Sequence, residues 1–270
     1  MNPASQVGKP IRIVQITDFH LLADPRRTMM GINTEQSFLA VLDLACRSHE
    51  DFDIFLMTGD LAQDPTPGTY GRLRDWLAVL PGPFYCLPGN HDESELIRQN
   101  LADKHIAYQS QIVLDTWQII CLDSTLPNDP GGYLAKGQMD LLEAKLSERP
   151  DLFALICLHH SPAPTGAEWL DTMMLSNRED LFALVKRFPK AKAIVYGHIH
   201  QAMDVESDGL RLLGCPSTCF QFRPDSVDFA LDFLPQGYRW LELHPDGSIK
   251  TGVVRLNAVP EGLDMASGGY

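Results

Sequence analysis

From residue 11 to residue 200, short β-prone runs alternate with stretches of helical periodicity, and each run stops at a polar loop. This alternation limits the fold most, because parallel strands need crossover helices that then cover the faces of the sheet. The run 11–17 (IRIVQIT) stops at Asp18, 52–58 at Gly59-Asp60, and 84–87 at Pro88-Gly89-Asn90-His91-Asp92. Residues 117–123 form a fourth run, 153–158 end at His159-His160, and 193–196 deliver Gly197-His198-Ile199-His200.

The intervening segments carry helix signals. Asn33 and Gln36 have capping-box spacing ahead of a helix to about residue 46, with Phe38, Val41, Leu42 and Ala45 on one face. Further helices are expected over 69–80, closed by Pro81-Gly82-Pro83, and over 93–101 and 137–147; Ser176 and Glu179 form a second capping box for a helix to 188. After Gln201 only strands are expected, with hairpin turns at Asp208-Gly209 and Asp246-Gly247. The pattern implies layered sheets with helices outside, and ligands at the carboxyl ends of the strands.

At 270 residues the chain can bury one large core, and no linker divides it. A single domain over residues 1–258, β-rich from about 201, is expected, with a tail over 259–270 that is poor in large apolar residues. The polar N-terminus lacks the apolar run of a signal peptide, and no stretch approaches the roughly 18 apolar residues of a membrane span. A cytoplasmic protein is therefore expected. Its formal charge of -13 argues against nucleic-acid or anionic-membrane partners, which require clustered cations. The cysteines at 46, 86, 121, 157, 215 and 219 form no CxxC pair and read as reduced thiols, several of them buried.

The strand-end loops hold the chemistry. His198 and His200, one residue apart, fall on the same face if the segment is extended, and Asp18 and His20 share that spacing. Asp60, Asn90, His91, His159 and His160 complete the set. Singly, each of these is more simply a turn, cap or surface residue; joint arrival at five strand ends points to a metal site. Imidazole with oxygen donors and no thiolate suits manganese, iron or zinc. A carboxylate such as Asp60 can bridge two ions, and paired ions clamp both the attacking and the leaving oxygens of a phosphoryl displacement. Two divalent cations, less Asp18, Asp60 and one hydroxide, leave a net positive centre that attracts a phosphodiester.

In these residues the sequence resembles the calcineurin-like metallophosphoesterases, with the pattern D-x-H, G-D, G-N-H-[DE], H and G-H-x-H. It appears as Asp18-Phe19-His20, Gly59-Asp60, Gly89-Asn90-His91-Asp92, His159 and Gly197-His198-Ile199-His200. Residues 15–18, 58–64, 87–92, 197–201 and 216–219, and the Gly269-Tyr270 ending, are similar to the bacterial 3′,5′-cyclic-AMP phosphodiesterases of that superfamily, the class III enzymes. The resemblance implies an α/β (α+β) four-layer αββα sandwich, two central mixed sheets flanked by helices. It implies two metal ions per chain, iron and/or manganese with zinc as a further choice. Asp18, His20 and His200 would hold the first, Asn90, His159 and His198 the second, and Asp60 would bridge.

The expected reaction is hydrolysis of cyclic AMP to 5′-AMP by a metal-bound hydroxide, lowering cellular cyclic AMP. His91 is expected to contact the phosphate or protonate the leaving oxygen, with Asp92 orienting its ring; His20, Asp60, Asn90 and His200 would also touch the substrate. His160 is either a contact near the site or a satisfied core histidine. Trp169 could stack on a base or simply anchor its loop, and is not counted in the site. Another phosphodiester, a 2′,3′-cyclic nucleotide, a nucleotide pyrophosphate or a phosphomonoester would suit the same centre, as would a non-catalytic scaffold. The chain is expected to act as a monomer or homodimer.

Overall fold

The computed structural model describes residues 8–48, 51–207 and 209–269. Asp208 of the first expected hairpin and Tyr270 of the terminal motif lie outside the described residues. The first half contains β1 (Ile11–Ile16), α1 (Thr34–Ser48), β2 (Ile54–Thr58), α2 (Pro67–Leu77), β3 (Phe84–Leu87), α3 (Ser94–Asn100) and β4 (Ile106–Ala107). There follow β5 (Gln111–Leu114), β6 (Trp117–Cys121), α4 (Lys136–Glu148), β7 (Phe153–Cys157), α5 (Glu168–Asp171), α6 (Arg178–Val185) and β8 (Ala191–Tyr196). The β-rich end comprises β9 (Met203–Ser207), β10 (Leu210–Gly214), β11 (Gln221–Phe222), β12 (Leu231–Asp232), β13 (Gly237–Leu243) and β14 (Ile249–Arg255).

Two six-stranded mixed sheets form, in the orders β14-β13-β1-β2-β3-β4 and β5-β6-β7-β8-β10-β9. β1, β2, β3 and β4 run parallel, as do β6, β7, β8 and β10; antiparallel strands finish the remaining edges. The period-two alternation of side chains sorts each central strand between two cores. In β7, Leu155 and Cys157 join a cluster with Ile13, Leu56, Trp117 and Leu213 that fills the space between the sheets. Ala154 and Ile156 face the other way, against α4 and α6 through Leu142, Leu146, Leu181 and Leu184. Val14, Ile16, Phe55 and Met57 meet Phe38, Val41, Tyr70 and Leu73 of α1 and α2. The result is the expected αββα sandwich. Among the described residues no helix is long and apolar enough to cross a membrane.

Local differences from expectation have identifiable causes. α2 begins at Pro67, not near Thr69, because Thr66 Oγ1 accepts from Thr69 N at 3.1 Å and a proline suits the first helical position. The Ser176–Glu179 capping box is not formed. Ser176 Oγ donates to the Gly132 carbonyl, and Asn177 caps α6 with its amide paired to both backbone groups of Leu134. These contacts come from a distant segment that sequence spacing cannot reveal. β4, β5 and α5 are too short to carry a period. The residues after Pro260 dock: Asp264 N donates to Met30 O, and Leu263 and Met265 pack against the helix-side core of the second sheet.

Leu213 is fully buried between the sheets. Leu213→Ala is expected to destabilise the protein by about 2–5 kcal/mol, measured as a lower denaturant midpoint at unchanged m value.

Candidate metal centre

β1, β2 and β3 of one sheet and β7 and β8 of the other end on the same crevice. Their following loops bring together Asp18, His20, Asp60, Asn90, His91, His159, His198 and His200, including every residue expected to hold metal. The extended geometry expected for the two His-x-His-like spacings is not what occurs. Asp18, His20, Asp60, His198 and His200 all have left-handed backbones, with φ from 47° to 67°. Such residues cost about 1–2 kcal/mol each relative to right-handed conformations, so other contacts must hold them. Asp18 N donates to Gly59 O at 3.0 Å, His20 N to Asp60 O at 3.0 Å, and His198 N to the Asp18 carboxylate at 3.0 and 3.2 Å. The motif glycines answer to space: a Cβ on Gly59 would enter the His159 ring, and one on Gly89 would collide with Asp60.

The hydrogen bonds fix where the lone pairs point. His20 Nδ1 lies 2.8 Å from Gln63 Oε1, His200 Nδ1 2.8 Å from the Phe220 carbonyl, and His159 Nδ1 2.9 Å from the Thr58 carbonyl. Those oxygens only accept, so each Nδ1 carries a proton and, in the neutral ring, each Nε2 is a bare lone pair. Yet His20 Nε2 and His200 Nε2 face each other at 3.1 Å, with Asp60 Oδ2 3.7 Å from the first and Asp18 Oδ1 3.6 Å from the second. A second cluster repeats the pattern. His159 Nε2 is 3.2 Å from Asn90 Oδ1 and 3.3 Å from Asp60 Oδ2, and His198 Nδ1 is 3.1 Å from the same Asn90 oxygen. Acceptors converging on acceptors in a dry pocket repel, and cations remove the conflict. Nitrogen and oxygen donors around two points that share Asp60 therefore fit two metal ions.

The protonation preferences agree. Burial lowers the pKa of His20 to about 4 and pushes His198 and His200 well below their ordinary value. Burial would lower His159 too, but Asp60 and Asp18 raise it to about 9, so a proton on Nε2 stands where the second cluster wants a cation. Burial raises Asp18; Asp60 is also buried, but His159 and His91 hold it low.

The remaining candidates divide. His91 N donates to Asp60 Oδ1 at 3.0 Å and its ring sits edge-on to His20, centroids 5.1 Å apart. Asp92, expected against the His91 ring, instead accepts from Leu61 N, Ala62 N, Gly89 N and the Tyr70 hydroxyl, tying two loops together. His160 is a satisfied buried histidine. Its Nε2 donates to the Pro130 carbonyl at 3.2 Å, which leaves Nδ1 to accept from Ser124 Oγ at 2.8 Å. Sequence reasoning missed Gln63 as the partner that orients His20; Cys219, read from the sequence as a reduced thiol, has its sulfur within 4.8 Å of donor nitrogens of His20 and His200. Burial pushes the Cys219 thiol up, away from the thiolate a metal requires. Neither residue has a spacing signal of its own.

A two-cluster donor set at the shared mouth of an αββα sandwich is the construction of a dinuclear metallophosphoesterase. The family model for calcineurin-like phosphoesterases matches residues 11–202, and the chain belongs to that family. It is 41% identical over 262 residues to the 3′,5′-cyclic adenosine monophosphate phosphodiesterase CpdA of Escherichia coli (strain K12), covering 96% of this chain and 95% of that protein. CpdA of Pseudomonas aeruginosa is 37% identical over 260 residues, with the same 96% and 95% coverage. A solved dimetal phosphatase from Danio rerio shares the fold at TM-score 0.59 and 15% identity, covering 92% of this chain and 99% of that one.

Because His159 holds a proton up to about 9, filling the second cluster at neutral pH must expel it. Metal affinity is therefore expected to rise with pH from 7 towards 9. Calorimetric titration of manganese into stripped protein, in buffers of different ionisation heat, should read proton release; none at pH 7 would contradict this account.

Proposed function

We propose that this chain hydrolyses 3′,5′-cyclic AMP to 5′-AMP, as a metal-dependent phosphodiesterase that lowers cellular cyclic AMP. The observation that carries the reading is the pair of donor clusters sharing Asp60 Oδ2, in a chain similar over nearly its full length to phosphodiesterases of that name. Asp18, His20 and His200 would hold one ion and Asn90, His159 and His198 the other, with Asp60 between them. Iron and manganese, with zinc as the third choice, match this hard-to-borderline donor set. When bound, two such ions supply a nucleophile at neutral pH and polarise the phosphoryl oxygens.

The chain's own groups do the rest. Thr58 O, Gln63 and the Phe220 carbonyl keep each Nδ1 protonated, so three Nε2 atoms are aimed before any ion arrives, those of His20 and His200 as lone pairs and that of His159 still protonated. Asp60 Oδ2 lies between the clusters, 3.7 Å from His20 Nε2 and 3.3 Å from His159 Nε2, and Asn90 Oδ1 joins His159 to His198. His91 is held at the rim by its own backbone bond to Asp60, where its ring can donate a proton to the 3′ oxygen as the cyclic ester opens. Asp92 supports that loop by binding its backbone. Residues 1–258 act as one catalytic domain with 259–270 as its tail. All donors come from one chain, so a monomer or a homodimer would serve equally.

Incubation of the manganese- or iron-loaded protein with cyclic AMP should yield 5′-AMP. His91→Ala should lower kcat by about 10²–10⁴-fold with metal content unchanged. Faster turnover of 2′,3′-cyclic nucleotides, pyrophosphates or monoesters than of cyclic AMP would overturn the substrate assignment.

A further inference from the structure

A cavity of about 310 Å³ opens directly off the metal centre. It shares Asn90, His91 and His198 with the donor clusters and their rim. Away from them its walls are Leu170, Met173, Trp169, Phe222 and Phe229. Among the described residues no lysine, arginine, aspartate or glutamate lines it, although the chain carries 35 acidic residues. A phosphate has its counter-charge at the metals and nothing to meet here, whereas an uncharged flat group finds apolar surface on several sides.

The aromatic walls are fixed in advance. Phe222 stacks on His200, centroids 4.1 Å apart and planes 16° from parallel, so the wall is packed directly on a candidate metal ligand. Trp169 meets Phe222 and Phe229 at centroid distances of 5.0 Å with planes 85° and 62° apart, so neither phenyl ring stacks flat on the indole. Its Nε1 donates to Ser226 Oγ at 3.2 Å, and Ser226 O accepts from Glu168 N at 2.8 Å, so α5 and the indole are tied to one loop at Ser226. The opposite rim is also held, since Pro130 lines the cavity and its carbonyl accepts from His160 Nε2.

The geometry points to this cavity as the site for the purine base of the cyclic nucleotide, with Trp169 and Met173 as specificity-determining residues. The inference rests on the nucleotide reading above and adds to it the place of the base. In a 3′,5′-cyclic nucleotide the phosphate ring is fused to the ribose, so the base stands at a short, nearly fixed reach from the phosphorus. A cavity that begins at Asn90 and His91 and runs to Trp169 and Met173 adjoins the place where the phosphate would rest. Recognition here acts by stacking and apolar contact, which fall on KM, while the metal-facing groups govern kcat.

The test is steady-state kinetics of the metal-loaded enzyme with cyclic AMP and with a base-free ribose 3′,5′-cyclic phosphate. Trp169→Ala should raise KM for cyclic AMP about 5- to 150-fold with kcat within about twofold, the range that base–aromatic stacking supplies. Trp169→Phe should recover most of the loss, and KM for the base-free diester should not move. Met173→Arg, which fills the cavity while leaving the indole contacts in place, should act on cyclic AMP in the same way if the alanine variant does not fold. Unchanged KM for cyclic AMP in these variants, or equal loss on both substrates, would overturn the base site and leave the phosphodiesterase reading standing. A wild-type enzyme that cleaves the base-free diester but not cyclic AMP would overturn that reading itself.

Discussion

Everything in this molecule depends on a set of lone pairs that cannot satisfy one another. His20 and His200 turn unprotonated nitrogens towards each other at 3.1 Å, with carboxylates behind them, while beside Asp60 and Asn90 Oδ1 the proton on His159 stands where a cation would go. Hydrogen bonds from each Nδ1 to a fixed oxygen prevent the rings from escaping by exchanging tautomers. Such an arrangement persists only because the surrounding sandwich over-determines it. The donors also divide between the sheets: Asp18, His20, Asp60 and Asn90 follow strands of the first, and His159, His198 and His200 follow strands of the second. Each cluster draws on both, so its ion would join the two halves of the sandwich as well as serve chemistry.

Much of this could be read from the chain. Strand–helix alternation gave the layering because a buried parallel strand requires apolar residues on both faces, as Leu155 and Ile156 show by facing opposite cores. The motif residues were legible because five loops carried the same chemistry. The local geometry was not. Placing His198 and His200 on one face of an extended segment led to the right neighbours by a wrong route, since both lie in a left-handed loop after β8. A one-residue spacing says that two side chains can be near each other, but not which backbone brings them there. Asp92 shows the same limit: adjacency suggested the His91 ring, while its oxygens are taken by the backbone amides of Leu61 and Ala62 from another loop and of Gly89 from its own.

The apolar wall beside the centre was harder still. Trp169, Phe222 and Phe229 belong to no periodic segment and meet only because α5 and the loops around β11 cross the same end of the second sheet. Gln63 and Cys219 are alike in this respect. A partner that acts through one hydrogen bond, or through proximity alone, leaves no pattern in the sequence, whereas a ligand set leaves several.

The left-handed backbones at Asp18, His20, Asp60, His198 and His200 bear on how variants of this protein should be judged. Each is an L-residue kept in a conformation that glycine adopts freely and asparagine more readily than most. Replacing one of them with either residue relieves local strain but destroys the donor and, at Asp18 and Asp60, takes the carboxylate acceptor from the backbone amides of His198 and His91. Strain at these five positions is kept for the donors they present, so a variant that relieves it has to be judged by metal binding as well as by thermal stability.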